Sequence, residues 1–550
     1  MVFLPCETSY KKNMSNNVLF DRITNLEDKM KKVREKSKII YLLIYLFMAV
    51  FLGYGLTLTD SGKETISTLK ELEKQGYVLL FVWGYLCIFL VLFKMRKKLA
   101  LVRKSDFLFF LIILASIPRI FIMLQNHYIP TNDFKNYYEA GVHLIEGDKA
   151  VVREFVGGYN IAKFGGLAVF MGITAKLFSV KLIGFQTANV IITSLICVFI
   201  YLIIEDYNKK SAMIASILFA IYPENIISTQ ITTNHHGAIL FTLISIFCLA
   251  KAEHYHKYIF CILGGVALAI SDLIHPSISV PIVAILCYGI VGGGGKKAGY
   301  LRLKNCLLIL LCYVIAINMS FTMLRAGGIL ESNAKNPSPS LHLGKIVTGF
   351  NHETRGRWSQ EDAITLSSMS REEKREWQET QIKERIFDKP FNDILSLMRD
   401  KIDITWFQKG AYFVWYWEAW YANIVSDKEN GEVPSEELDR ELETFSIYTS
   451  YQLFDWIFIK IIYIFAIWGF IIVSKSRRQN TGIALATWIL LGWIMIHLFI
   501  EVQERYRYLG MPYIFIFAAI GMYESYRRLA LNVRARERIR RANKTISEYK

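Results

Sequence analysis

Apolar residues fall into blocks of roughly 17–23 along this chain, the length a helix needs to cross about 30 Å of hydrocarbon. Read by length and apolarity, the blocks predict spans at about 39–59, 77–95, 107–125, 182–204, 212–230, 237–251, 258–272, 275–291, 306–324, 457–474, 483–500 and 508–523. One further apolar block, Phe164 to Phe178, carries Gly165, Gly166, Gly172 and Lys176. Basic clusters decide whether it crosses. Lys94, Arg96, Lys97, Lys98, Arg103 and Lys104 mark one connection, Lys296, Lys297, Arg302 and Lys304 a second, and Lys475, Arg477 and Arg478 a third, followed by about nine Lys/Arg after Tyr523. With about twelve crossings all of these lie on the cytoplasmic side, as the positive-inside rule requires. A thirteenth crossing at 164–178 inverts everything after it, so that block is expected to lie in the outer interface.

The pattern predicts an all-α polytopic membrane protein, multi-pass in the cell membrane, with both termini cytoplasmic. Its expected parts are a basic tail (1–38), two N-terminal spans (39–105), a membrane module (106–324), a polar outer segment (325–456), the last spans (457–523) and a second basic tail (524–550). The first outer loop, 126–181, lies within the module. In the first tail Leu19, Ile23, Leu26, Met30 and Val33 repeat at helical spacing, which suits an amphipathic helix on the membrane face or a coiled-coil partner site. About 38 polar residues precede the first apolar block, so no cleavable signal peptide is expected. Within 325–456, Ser370 to Lys401 reads as charged helix, and the aromatic run Tyr412 to Tyr421 suits a headgroup belt.

Composition changes this picture little. The chain has 550 residues, 53% apolar, with a net charge of +16. That charge sits between apolar blocks and in the tails, so no nucleic-acid partner is implied; membrane lipids are the expected surroundings. Segment 325–455 is net acidic by about seven charges, as suits an outer loop. Seven of the eight cysteines fall in or beside apolar blocks, and Cys6 is in the first tail, so no disulfide framework is implied. No cysteine or histidine spacing points to a metal.

Candidate chemistry gathers at the outer ends of the spans. Asp133 follows a span by only a few residues, with Tyr137 and Tyr138 beyond it. A carboxylate at the lipid–water boundary can deprotonate a hydroxyl presented there; it can equally cap the helix that begins at Phe134. Arg119 lies inside the third span, where an arginine is costly and marks a functional-site hypothesis. It can meet a phosphate at headgroup depth or form a structural ion pair. Glu501 to Tyr508 (EVQERYRY) packs Glu501, Arg505, Tyr506 and Arg507 into a short turn. Its arginines can grip a lipid phosphate through paired hydrogen bonds. Glu224, Asn234 and His235 stand at the outer ends of other spans as weaker sugar or acceptor contacts, or as ordinary polar helix ends.

These features together resemble the GT-C glycosyltransferases. The resemblance rests on an Arg-bearing span, an outer loop with Asp133-Phe-x-x-Tyr-Tyr, the Tyr222-Pro-Glu-Asn turn, the Glu501-x-Gln-x-Arg-Tyr motif and the Gly349-Phe-Asn-His-Glu-Thr-Arg-Gly-Arg-Trp stretch. It covers most of 106–523 and is similar to protein O-mannosyltransferase-like and aminoarabinose-transferase-like bacterial members. It implies a GT-C-type fold and a polyprenyl-phosphate sugar as donor substrate. It also implies inverting transfer of a monosaccharide to a cell-envelope glycan or protein, with no cofactor. By the same resemblance Asp133 is the base and Arg505 or Arg507 meets the leaving phosphate; Arg119 and Tyr506 are further candidate contacts to that phosphate. Asn132 stands where many members have a second acid, and no Trp-Trp-Asp motif is present, so a metal-independent mechanism is expected. The competing readings are a lipid-glycan transporter or flippase, and a GT-C-like polymerase or ligase using a diphosphate-linked glycan.

Overall fold

The computed structural model describes residues 38–54, 56, 77–125, 128–158, 163–276, 279–292, 296–331, 343–430, 435–476 and 480–549. The amphipathic tail expected before residue 38 lies outside them. Among the described residues every element is helical and none is a strand. Six helices are long and apolar enough to cross a membrane: Lys104–Met123, Leu182–Ile204, His235–Tyr255, Ala298–Ala326, Glu443–Lys475 and Thr481–Phe499. A seventh is the pair Lys209–Ala220 and Pro223–Gln230, bent by 59°. Lys38–Tyr54, Phe164–Leu177, Tyr258–Ile274 and Ser279–Val291 are apolar but shorter.

This count falls short of the twelve spans expected. Tyr258–Ile274 and Ser279–Val291, 17 and 13 residues long, fall at and below the short end of the span range. Two helices run past the ends of the expected spans. Met511–Tyr549 runs unbroken through the last expected span into the basic tail, and Ser435–Lys475 begins well before the span expected at 457. Apolarity marks where a helix can be buried, while backbone hydrogen bonding decides where it stops.

The bundle is closed by glycines at its tightest crossings. Where Ser435–Lys475 meets Met511–Tyr549, a Cβ on Gly469 would lie 1.9 Å from the Phe517 carbonyl oxygen. A Cβ on Gly521 would lie 2.1 Å from that of Phe465, so the two backbones touch only because both positions lack side chains. The first loop folds in the same way: Asn132–Glu146 lies against Phe164–Leu177, with Gly141 facing Met171 and Gly172 facing Leu144. Phe164–Leu177 is mostly buried, and at its start Lys163 Nζ pairs with Asp272 Oδ1 at 2.7 Å. Tyr313 donates to the other Asp272 oxygen at 2.7 Å, satisfying a fully buried carboxylate.

The polar segment after Leu343 is helical as expected, with Arg371–Ile382 and Phe391–Ile402 covering the charged stretch. Arg371–Ile382 opens on a capping box between Ser370 and Glu373. The segment is fastened to the turn after Thr481–Phe499. Glu501 N–H donates to the Lys345 carbonyl at 2.9 Å and Val502 N–H to that of Gly356 at 2.9 Å. Lys401 Nζ donates to the carbonyls of Gly349 (2.8 Å) and Leu498 (2.9 Å).

Candidate active site

Asp133 sits in the first turn of Asn132–Glu146, whose N-cap is Thr131. Its carboxylate accepts a hydrogen bond from Arg505 Nη2 at 2.9 Å, across 372 residues of sequence. Asn132 adopts φ 48°, in the left-handed region that Asn tolerates better than most residues, and this sharp entry delivers the next side chain to the arginine.

Arg505 lies in the 3₁₀ turn Glu504–Leu509, between the last two long helices. Its guanidinium is surrounded by the rings of Phe134 (5.1 Å to the centroid), Trp415 (5.7 Å) and Tyr506 (5.8 Å). Burial opposes its charge, but Tyr506, Tyr137 and Asp133 together more than offset that and keep it cationic. Beside it Glu501 is buried, paired with Lys345 Nζ and accepting from Gln503 Nε2 at 2.9 Å and Tyr506 OH at 3.4 Å. Lys345 is half-exposed, so this turn carries two cations, Arg505 beside Asp133 and Lys345 beside Glu501.

Of the other residues singled out in the sequence, His235 joins this cluster. Its Nδ1 meets Tyr412 OH, and its ring lies 4.9 Å from His275 and 6.5 Å from Tyr506. Burial, with Arg505 and Lys345 adding to it, pushes His275 down to about 3, so its ring stays neutral. Tyr137 is buried against Phe134, Phe155 and Phe164 and supports the arginine from behind. Tyr138 turns the other way, donating to the Val180 carbonyl at 3.0 Å, and Asn234 holds the Ile274 carbonyl at 3.2 Å. These two lie apart from the Asp133–Arg505 pair in role: each ties a loop to a neighbouring helix end.

Arg507, two residues from Arg505, is fully buried. Nη2 binds Glu224 Oε2 at 2.9 Å and approaches Asp455 Oδ2 at 3.9 Å, while Nη1 donates to the Gln408 carbonyl at 2.5 Å. Tyr222 OH binds the same Glu224 oxygen at 2.5 Å, and the Glu224 N–H donates to Asp455 Oδ1 at 3.0 Å. Arg507 and Glu224, expected as substrate contacts, are here paired with one another inside the bundle, and Arg507 Nε has no hydrogen-bond partner among the described residues. Arg119 is likewise fully buried. Its Nη1 donates to the Ala220 carbonyl at 2.8 Å, where the bent helix pair breaks. Tyr85 OH takes the Ile221 carbonyl at 2.7 Å and Asn225 Nδ2 that of Phe219 at 2.8 Å. A broken helix inside a bilayer must have its freed carbonyls satisfied by protein, and Arg119 answers that need.

The aromatic run at 412–421 does not form an outward belt. Tyr412, Phe413, Tyr416 and Trp420 are buried, with Tyr412 on His235 and Tyr416 stacked on Tyr128 at 6.4 Å. Sequence reasoning missed Lys345 and Asp455, which only contact across distant segments marks, and it read Trp415 only as part of the aromatic run. Among the described residues no three His, Cys, Asp or Glu side chains gather as a group able to hold a metal ion.

No protein-family model and no curated protein sequence matches this chain. Among solved structures it is similar to an oligosaccharyltransferase from Archaeoglobus fulgidus in the apo form, at 14% identity and a TM-score of 0.41. The match covers 79% of this chain and 52% of that one, so this chain spans about half of that structure's length.

Proposed function

We propose that this chain is a membrane glycosyltransferase that moves a monosaccharide from a polyprenyl-phosphate carrier to a hydroxyl of an extracytoplasmic glycan or protein. The observation that carries the reading is the Asp133–Arg505 pair, 2.9 Å apart, on two loops that both open from the ends of long apolar helices. The motifs quoted from the sequence for a GT-C resemblance contribute both partners of that pair.

In this reading the donor's phosphate binds Arg505 and Lys345, exchanging Arg505 from Asp133 to the phosphate. The released carboxylate then takes the proton from the acceptor hydroxyl. The acceptor oxygen bonds to the anomeric carbon as the carbon–phosphate-oxygen bond breaks. The electron pair departs with the phosphate, whose charge the two cations receive. Attack opposite the leaving group inverts the anomeric centre. Phosphate is a good leaving group, so no acid and no metal ion is assigned a step. Glu501 orients Lys345 through the ion pair they already form. The membrane topology proposed with this reading is the twelve-span one, both termini cytoplasmic.

The test is transfer from a panel of radiolabelled polyprenyl-phosphate sugars to envelope fractions by the purified protein. Label should move from one of these donors, and Arg505→Ala should weaken donor use by about 10²-fold or more. An unchanged donor KM and kcat in that variant rejects the phosphate role.

A further inference from the structure

A second polar pocket lies at the far end of the bundle. It opens at the start of Lys209–Ala220, which runs about 18 Å from there towards the bend at Tyr222. Tyr207, Asn208, Ser211, Ile472, Tyr523 and Glu524 line a space of about 130 Å³. Ser211, one of the lining residues, is 1% exposed, and its hydroxyl has no hydrogen-bond partner among the described residues. Asn208 caps the helix through the Ser211 N–H at 3.0 Å, and Ala212 N–H reaches the Asn208 carbonyl. The amides of Lys209 and Lys210 are the first-turn donors that a helix cannot satisfy within itself.

The charges around this pocket are arranged for an anion. Lys210 Nζ lies 5.8 Å from the Tyr523 ring. The one lining carboxylate, Glu524, is held by Arg527 (2.7 Å) and Arg528 (3.1 Å). The acids just before the pocket are also engaged: Glu205 by Lys104, and Asp206 by Lys251 at 3.5 Å. Lys209, Lys210, Arg527 and Arg528 therefore leave the rim positive. Ile472, on a candidate span, and Ile520 supply an apolar wall, and Tyr526 and Leu529, further along the helix that carries Tyr523, are exposed.

We infer that this pocket binds the phosphate headgroup of an anionic membrane lipid, with the buried Ser211 hydroxyl and the first-turn amides donating to it and Lys210 supplying charge. A buried hydroxyl without a partner, at the mouth of a helix dipole and under a basic rim, matches a phosphate oxygen in chemistry and size. The apolar wall favours a lipid over a free ion. The site is separate from the Asp133 cluster and does not depend on the reaction proposed there.

The experiment titrates the full-length protein in neutral detergent with short-chain phosphatidylglycerol, short-chain phosphatidylcholine and inorganic phosphate, read by native mass spectrometry and by thermal melting. Phosphatidylglycerol should be retained and should raise the melting temperature. Ser211→Ala and Lys210→Gln should each weaken its binding about tenfold, while Lys176→Gln, elsewhere on the surface, leaves it unchanged. Melting of the apo variants separates loss of binding from loss of fold, since Lys210 is exposed and its replacement removes only the contact with the Tyr523 ring. Equal retention of phosphatidylcholine, or unchanged affinity in both variants, overturns the inference. Inorganic phosphate binding as tightly as the lipid overturns the choice of a lipid ligand.

Discussion

Asp133→Asn separates catalysis from folding because the structure assigns very different magnitudes to the two. The Asp133 side chain is 36% exposed and Arg505 10%, and Arg505 Nη2 meets Asp133 Oδ2 at 2.9 Å. Asparagine keeps an oxygen that can accept from Arg505 Nη2, so what is lost is the charge on one side of a partly solvated pair, about 1 kcal/mol. The helix keeps its first backbone bonds, because the Thr131 carbonyl accepts from the Phe134 and Lys135 amides. A general base, in contrast, contributes about 10²–10⁴-fold in rate, or about 3–5 kcal/mol on the barrier. The variant should therefore insert, purify and melt within a few degrees of wild type while transfer from the lipid donor nearly vanishes. The assay pairs radiolabel transfer with a melting curve on the same preparation, and donor retention is read by native mass spectrometry. Wild-type turnover in the variant refutes the assignment of the base. A rate loss no larger than the loss of folded protein refutes it too, by reducing Asp133 to a structural partner of Arg505.

Three further outcomes follow from the packing. Glu224→Gln leaves Arg507 buried with a weaker partner and should cost about 3 kcal/mol or more, seen as a lower melting temperature even without substrate; an unchanged melt argues that Asp455 alone balances the arginine. Burial lowers Lys401 from 10.5 to about 7, so the unfolded chain binds more protons between those values. Stability should then rise with pH across that window, by about 1.4 kcal/mol per unit at most, and Lys401→Met should flatten the rise; a flat wild-type profile from pH 7 to 10 contradicts it. Gly469→Val should abolish monodisperse protein on size-exclusion chromatography, since its Cβ would meet the Phe517 carbonyl oxygen at 1.9 Å, whereas Gly84→Ala, with nothing within 4 Å, should be silent.

The helical, membrane-type architecture is legible in the sequence because apolarity over span length is a local property. The site is only half legible. Asp133 and the Glu501–Tyr508 turn stand out by composition, but their pairing spans 372 residues and no local pattern encodes it. Arg119 shows why charge inside a span is ambiguous. The same costly residue type that can meet a phosphate serves here to satisfy the Ala220 carbonyl at a helix break. The break itself has a sequence cause, Pro223 at the start of the second piece, yet which side chain repairs it depends on packing. Lys345 carries no signal at all: it becomes significant only when Glu501 N–H fastens to its carbonyl.

The two arginines of the Glu504–Leu509 turn show how one short segment can serve both needs. In a 3₁₀ turn each residue advances by about 120°, so side chains two apart point in directions about 120° apart. Arg505 therefore reaches Asp133 at the partly exposed end, while Arg507 points into the bundle at Glu224 and Asp455. The inner pair is fully buried and hence the stronger constraint, and Gly510 lets the turn press against Trp406, where a Cβ would meet the ring at 2.8 Å. The position of Arg505 is thus set from below by Arg507. On this argument a substitution at Glu224 should disturb donor binding as well as stability, without touching the donor. A Glu224 variant that melts early but keeps its donor KM at low temperature would show that the turn is held by Trp406 and the Lys345 strap instead.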